Sequence, residues 1–153
     1  MTHPALETRL CSLVGIKYPI VQTGMGWVAG PRLVAATANA GGLGILASAT
    51  MTLPELASAM AEVRARTTAP FGVNLRTDAA DVTDRIALMI ETGARVASFA
   101  QAPNPALVAR CKEMLCDWKW SLIRLRVNVT LEIVAPEGTT DRSNLSAPRR
   151  RPL

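Results

Sequence analysis

The chain has 153 residues, of which 49% are apolar and 19% charged, with 17 lysines and arginines against 12 aspartates and glutamates. That length holds one compact domain burying roughly two thirds of the surface its unfolded form exposes, and that composition is expected of an ordinary globular protein and not of a disordered or membrane one. The net charge of +5 does not point to a nucleic-acid partner, because the basic residues are scattered until Pro148-Arg149-Arg150-Arg151-Pro152 and have no interleaved aromatics.

Cys11, Cys111 and Cys116 are odd in number and form no C-x-x-C pair, and no charged-then-apolar leader precedes a cleavage site. A reducing, cytoplasmic compartment is expected, with each cysteine a small buried hydrophobe. No apolar run approaches the ~20 residues of a membrane span, so no membrane partner is expected. No metal site is read. His3 is the only histidine, lies ahead of the first element and receives no catalytic role.

Residues 5–14 form a short amphipathic stretch ending at Gly15. Tyr18-Pro19-Ile20-Val21-Gln22 is an apolar run between turn residues and reads as a first buried strand. A glycine-spaced loop follows, Thr23-Gly24-Met25-Gly26-Trp27-Val28-Ala29-Gly30, and Pro31 opens an alanine-rich helix where a missing N–H costs nothing. That helix ends at Gly41-Gly42. Residues 43–47 are the second strand, and Thr52-Leu53-Pro54-Glu55 starts the second helix as a capping box, with Leu56, Met60 and Val63 at helical spacing. The third strand is 71–75. The third helix is 81–91, with Val82, Ile86, Leu88, Met89 and Ile90 inward and Gly93 after its end. The fourth strand is 95–99, and Asn104-Pro105 starts a fourth helix carrying Leu107 and Val108.

About four strand-helix units in succession, with continuous apolar strands instead of alternating ones, predict an α/β fold with a parallel sheet covered by helices. Periodicity does not choose between a barrel and an open sheet.

The stretch 15–29, with Tyr18-Pro19-Ile20-Val21-Gln22 leading into Gly24-Met25-Gly26-Trp27, resembles the first strand and loop of the nitronate monooxygenase (2-nitropropane dioxygenase) family. Asn39-Ala40-Gly41-Gly42-Leu43-Gly44-Ile45-Leu46 resembles its second strand entry, Pro70-Phe71-Gly72-Val73-Asn74-Leu75 its third strand, and Val96-Ala97-Ser98-Phe99 stands in the place of its fourth. The resemblance implies the N-terminal half of an FMN-dependent (β/α)8 TIM barrel over residues 1–112. It implies an oxidoreductase that oxidises alkyl nitronates with oxygen. FMN-dependent enoyl-thioester (ACP or CoA) reductases share this half, so an enoyl thioester is the alternative small-molecule substrate.

In such barrels the flavin lies beyond the carboxyl ends of the strands, so the loop after strand one is on the active side. Gly24, Met25 and Gly26 are therefore candidate cofactor-binding residues, since glycines let the backbone approach a flat ring. The competing reading is a tight turn feeding a helix. Asn74, at the end of strand three, can offer a donor and an acceptor to the ring's pyrimidine edge, or else cap the following turn. Trp27 either lines a substrate cavity or simply packs. The run Gly41-Gly42-Leu43-Gly44 is not a phosphate loop, because it leads from a helix into a strand and has no helix N-terminus to hold an anion.

The family pattern stops near Lys112. The later strands that the resemblance would supply, with a catalytic histidine and the phosphate-binding glycines, have no counterpart in 113–153, so no catalytic residue is assigned. This non-family tail is expected to be strand-like at 122–134, where apolar and polar residues alternate, and disordered from about 136. One expectation is that the alternating segment adds itself to the fourth strand. Half a barrel leaves open sheet edges, so self-association is expected. Losing charge-assisted bonds to the FMN phosphate, at roughly 1.5 to 3 kcal/mol each, predicts weak or no FMN binding by this chain alone. Two readings stand: a flavin-dependent enzyme, and a truncated, non-catalytic half-barrel.

Overall fold

The computed structural model describes residues 6–99, 105–107, 109, 120–127 and 129–136, the last two stretches as backbone only. In chain order the elements are α1 (Arg9–Val14), β1 (Val21–Gln22), α2 (Pro31–Asn39), β2 (Leu43–Ala47), α3 (Leu53–Arg66), β3 (Phe71–Leu75), α4 (Val82–Thr92), β4 (Val96–Phe99), β5 (Trp120–Val127) and β6 (Val129–Pro136).

Local chemistry explains the boundaries. Gly15 ends α1 and Gly93 ends α4 in the left-handed conformation that glycine adopts without strain. At the start of α3 the Glu55 carboxylate accepts from the Thr52 N–H at 2.7 Å and from its hydroxyl at 2.8 Å. That contact holds the Glu55 carboxyl below its ordinary range. The first strand is shorter than its apolar run suggests: Tyr18 and Lys17 donate backbone bonds to the Gly41 carbonyl, which leaves Val21 and Gln22 for the ladder. Residues 105–107 are helical, as expected for a fourth helix, with Leu107 buried; Asn104 and Val108 lie outside the described residues, as do His3, Cys111, Cys116 and everything beyond Pro136.

Strands β1 to β4 form one sheet in the order β1-β2-β3-β4, every pair parallel. A doubly wound sheet would reverse direction at a switch point; steady progression to one side is the order of a (β/α) barrel. The periodicity left this choice open, and the strand order decides it for a partial barrel of four units.

The register sorts the strand residues into two faces. Leu46, Phe71, Val73, Leu75, Ala97 and Phe99 join Leu56, Met60, Val63, Ile86 and Met89 in the core between sheet and helices. Fully burying one such side chain contributes roughly 1.5–3 kcal/mol, and these contacts fix the helices on the sheet. On the opposite face Ile45, Gly72 and Val96 lie in one row and Ala47, Asn74 and Ser98 in the next. The lower part of that face is covered by α1, whose Leu10, Leu13 and Val14 pack with Ile16, Leu43, Ile45 and Val96.

Two expectations need correction. Leu88 and Ile90 do pack against the core, though only half-buried, and a buried place on α4 goes to Arg85, which the apolar pattern did not include. The alternating segment is extended, but it is a hairpin and not a single strand. β5 and β6 pair antiparallel with Ile123 opposite Ile133, Leu125 opposite Leu131 and Val127 opposite Val129. This antiparallel register keeps apolar positions opposite apolar ones, which is how the alternation continues through both strands. β6 passes near β4, but the hairpin is a separate sheet and adds no strand to the parallel one.

Candidate functional site

The carboxyl ends of the parallel strands point one way, and the loops after β1 and β2 meet there. Gly24 sits directly on Asn74: a Cβ added to Gly24 would come to 2.4 Å from the Asn74 Cβ and 3.6 Å from Ile45 Cγ2. The two places singled out in the sequence, far apart in the chain, are thus in contact on one rim. Their contact also revises the reason for the glycine. Gly24 has no left-handed backbone, and its missing side chain makes room for Asn74. Gly26 differs again, since a Cβ there would make only ordinary contact with Thr50 at 3.6 Å. Met25 is largely exposed beside them.

Asn74 is half-buried and held from two sides. Its Nδ2 donates to Ser98 Oγ at 3.3 Å, and its backbone carbonyl accepts from Ser48 Oγ. Both serines are buried. The amide is therefore fixed by neighbouring strands and does not cap the turn after β3. Among the described residues no donor reaches its Oδ1, which keeps an acceptor available at the rim.

Three residues of the rim were missed by the sequence reading. Gln22, the last residue of β1, donates from Nε2 to the carbonyls of Thr23 and, at 3.3 Å, Ile45. Its Oε1 is buried with no hydrogen-bond partner among the described residues, a situation that costs about 1–3 kcal/mol. Ser48 and Ser98 are the other two. A polar residue at the carboxyl end of an apolar strand is the signal all three share.

The loop after β1 carries Trp27, a bulky residue with φ at 64° and 89% of its surface exposed. A left-handed backbone at such a residue is a strained conformation. Trp27 borders a cavity of about 300 Å³ together with Gly30, Ala47, Thr50 and Met51. Its side chain is therefore on the rim and not in the core.

On the opposite side of the sheet the glycines 41 and 44 do structural work. Gly41 takes a φ of 94° beneath Lys17, and Gly44 lies against the backbone of Val34. Neither faces the rim.

Residues 7–117 match the nitronate monooxygenase family, which is 111 of the 153 residues, the interval that holds every rim residue named above. The chain belongs to that family. Among curated relatives, the (3aS,4S,5R,7aS)-5-hydroxy-7a-methyl-1-oxo-octahydro-1H-indene-4-carboxyl-CoA dehydrogenase of Mycobacterium tuberculosis is 68% identical over 108 residues, covering 71% of this chain and 30% of that protein. A probable nitronate monooxygenase of Staphylococcus saprophyticus is 39% identical over 70 residues, 46% of this chain and 20% of the relative. Among solved structures, FabK from Thermotoga maritima superposes with a TM-score of 0.64 at 37% identity, covering 70% of this chain and 34% of that one. The chain therefore spans between a fifth and a third of the length of these relatives and has an oxidoreductase scaffold.

Proposed function

We propose that this chain carries the ring-binding part of an FMN-dependent oxidoreductase whose substrate is a CoA thioester. The observation that carries the reading is the contact of Gly24 with Asn74 at the carboxyl rim, in a chain that is 68% identical over 108 residues to a carboxyl-CoA dehydrogenase. In this reading residues 1–112 are the first half of the flavin-binding barrel and 113–153 are a tail of another kind.

The rim residues suit the heteroatom edge of a flavin. That edge alternates acceptors with a donor, and the rim offers the Asn74 amide and the backbone of 24–26. When bound, the flavin would take up an electron pair from substrate. The chain's own residues would orient the ring and keep water off one of its edges; Met25 and Trp27 would border the substrate. In this reading the ring would rest on the rim, while the described residues offer its phosphate no glycine-rich cradle, so weak affinity is expected from this chain alone.

Titrating FMN with the purified chain and following flavin fluorescence tests the reading. Weak, saturable quenching that Asn74→Ala abolishes is expected; quenching unaffected by that change would sink the ring site. A protein that purifies yellow with one flavin per chain would refute the expected weakness.

The family match and the staphylococcal relative favour a second reading, oxidation of an alkyl nitronate with oxygen. Oxygen uptake with propionate 3-nitronate would favour it, and reduction of an artificial electron acceptor by an alicyclic acyl-CoA would favour the first. The FMN-dependent enoyl-thioester reductases that share this half by resemblance make reduction of an enoyl thioester the alternative on the same scaffold. Formation of a saturated thioester from NAD(P)H would mark that one.

A further inference from the structure

The geometry points to Arg85, on α4 and remote from any ring contact, as the positioning residue that organises the rim. Arg85 occupies a place in the apolar stripe of its helix, between Val82 and Met89, and is 92% buried in a core that a leucine would fill more cheaply. A buried cation persists there only with partners. The guanidinium forms a fork on Asp81, Nε to Oδ1 at 2.9 Å and Nη2 to Oδ2 at 2.8 Å. Its remaining donors cross to the loop after β2, Nη1 to the Ser48 carbonyl at 2.9 Å and Nη2 to the Met51 carbonyl at 2.8 Å.

Those two carbonyls bracket the loop that feeds the rim. Ser48 uses its hydroxyl to hold the Asn74 backbone carbonyl, and the Asn74 amide reaches Ser98. Thr50, inside the bracket, faces Gly26, and Ala47 just before it donates to the Ala29 carbonyl at 3.0 Å. One planar cation with fixed donors thus ties α4 to the loops after β1 and β2 and to the end of β3. A lysine could not do the same, since a single ammonium cannot span two carbonyls and a carboxylate in that fork. Loss of Arg85 should loosen the rim while the sheet and its helices stay in place. That the rim takes a ligand rests on the flavin reading above, but the clamp itself does not.

Hydrogen exchange on the chain without flavin, together with the side-chain amide signal of Asn74 in a proton–nitrogen spectrum, is the test. In Arg85→Met the amides of 49–52 and of 24–30, with that of Ala47, which is bonded to Ala29, should exchange at least about tenfold faster, with the other β2 amides and those of β3 changed by less than about twofold. The Asn74 side-chain signal should shift or broaden. Arg85→Lys should show the same pattern at smaller size, and Asp81→Asn a smaller effect again, because the loop contacts of Arg85 survive it.

Acceleration spread evenly over the chain would make Arg85 an ordinary core support and overturn the proposal. So would acceleration at 49–52 alone with 24–30 and the Asn74 signal unmoved, which is a local pin. If Arg85→Met does not fold, the two milder variants are read by the same criteria. None of these readings involves flavin, so a failed clamp and a failed flavin site are distinguishable.

Discussion

At Gly24 the sequence invited a functional explanation, and the contact geometry supplies a steric one that supports the same site. A methyl group there would overlap the Asn74 Cβ at 2.4 Å, a distance that real contacts never reach. Gly24→Ala should therefore push the loop off Asn74 and destabilise the chain by roughly 1–3 kcal/mol, measured as a lower urea midpoint at unchanged slope. Gly26→Ala has room beside Thr50 and should be close to neutral in the same experiment, which separates crowding from loss of backbone freedom. Gly24, Met25, Gly26 and Asn74 were all visible in the sequence, because glycines and an asparagine at strand ends are unusual among apolar neighbours. Gln22, Ser48 and Ser98 were not: isolated glutamines and serines are common, and only pairing shows that they are buried together.

At the scale of elements, β2 and β3 were legible to the residue because each is a short apolar run bounded by strong turn signals. The helix α4 shows where such reading fails. A pattern of apolar side chains at spacing three and four places Arg85 on the inner face, yet a charge is read as solvent-facing unless its partners are known. Asp81, at the N-cap of α4, spends its carboxylate on Arg85 and caps no N–H with its side chain. The hydrogen bond from Arg85 holds the Asp81 carboxyl below the ordinary aspartate range. A carboxyl depressed by folding adds stability above its unfolded value and loses it as the pH falls through the folded one. Glu55 and Asp78 are lowered as well, by Thr52 and Arg76, so acid weakens the fold through several groups. The stability difference between the parent chain and Asp81→Asn should consequently be present at neutral pH and vanish in acid, in urea titrations across that range. A difference that grew on acidification would contradict the assignment.

At the scale of the whole molecule, β1 is an edge strand of two residues, and the exposed large apolar side chains recorded among the described residues cluster around it: Ile20, Met25, Trp27, Val28 and Leu33. Ile20 and Val28 are 61% and 62% exposed. An unpaired edge beside such a patch favours association. Ile20→Lys should shift the chain towards monomer in sedimentation experiments while leaving its thermal midpoint nearly unchanged; an unchanged distribution would place any association elsewhere. Among the described residues no helix is long and apolar enough to cross a membrane.

The sequence by itself determined the alternation of strands and helices, the parallel sense of the sheet, the helix ends and the family likeness. All of these depend on local signals: hydrophobic period, capping residues, glycine and proline at fixed positions. Only the tertiary structure decided that the strands progress in one direction, that Gly24 rests on Asn74, and that the alternating tail folds back as a hairpin. It alone disclosed that a buried arginine ties the rim together. These features arise between residues distant in the chain, where partner and register are set by packing, and no local pattern carries that information.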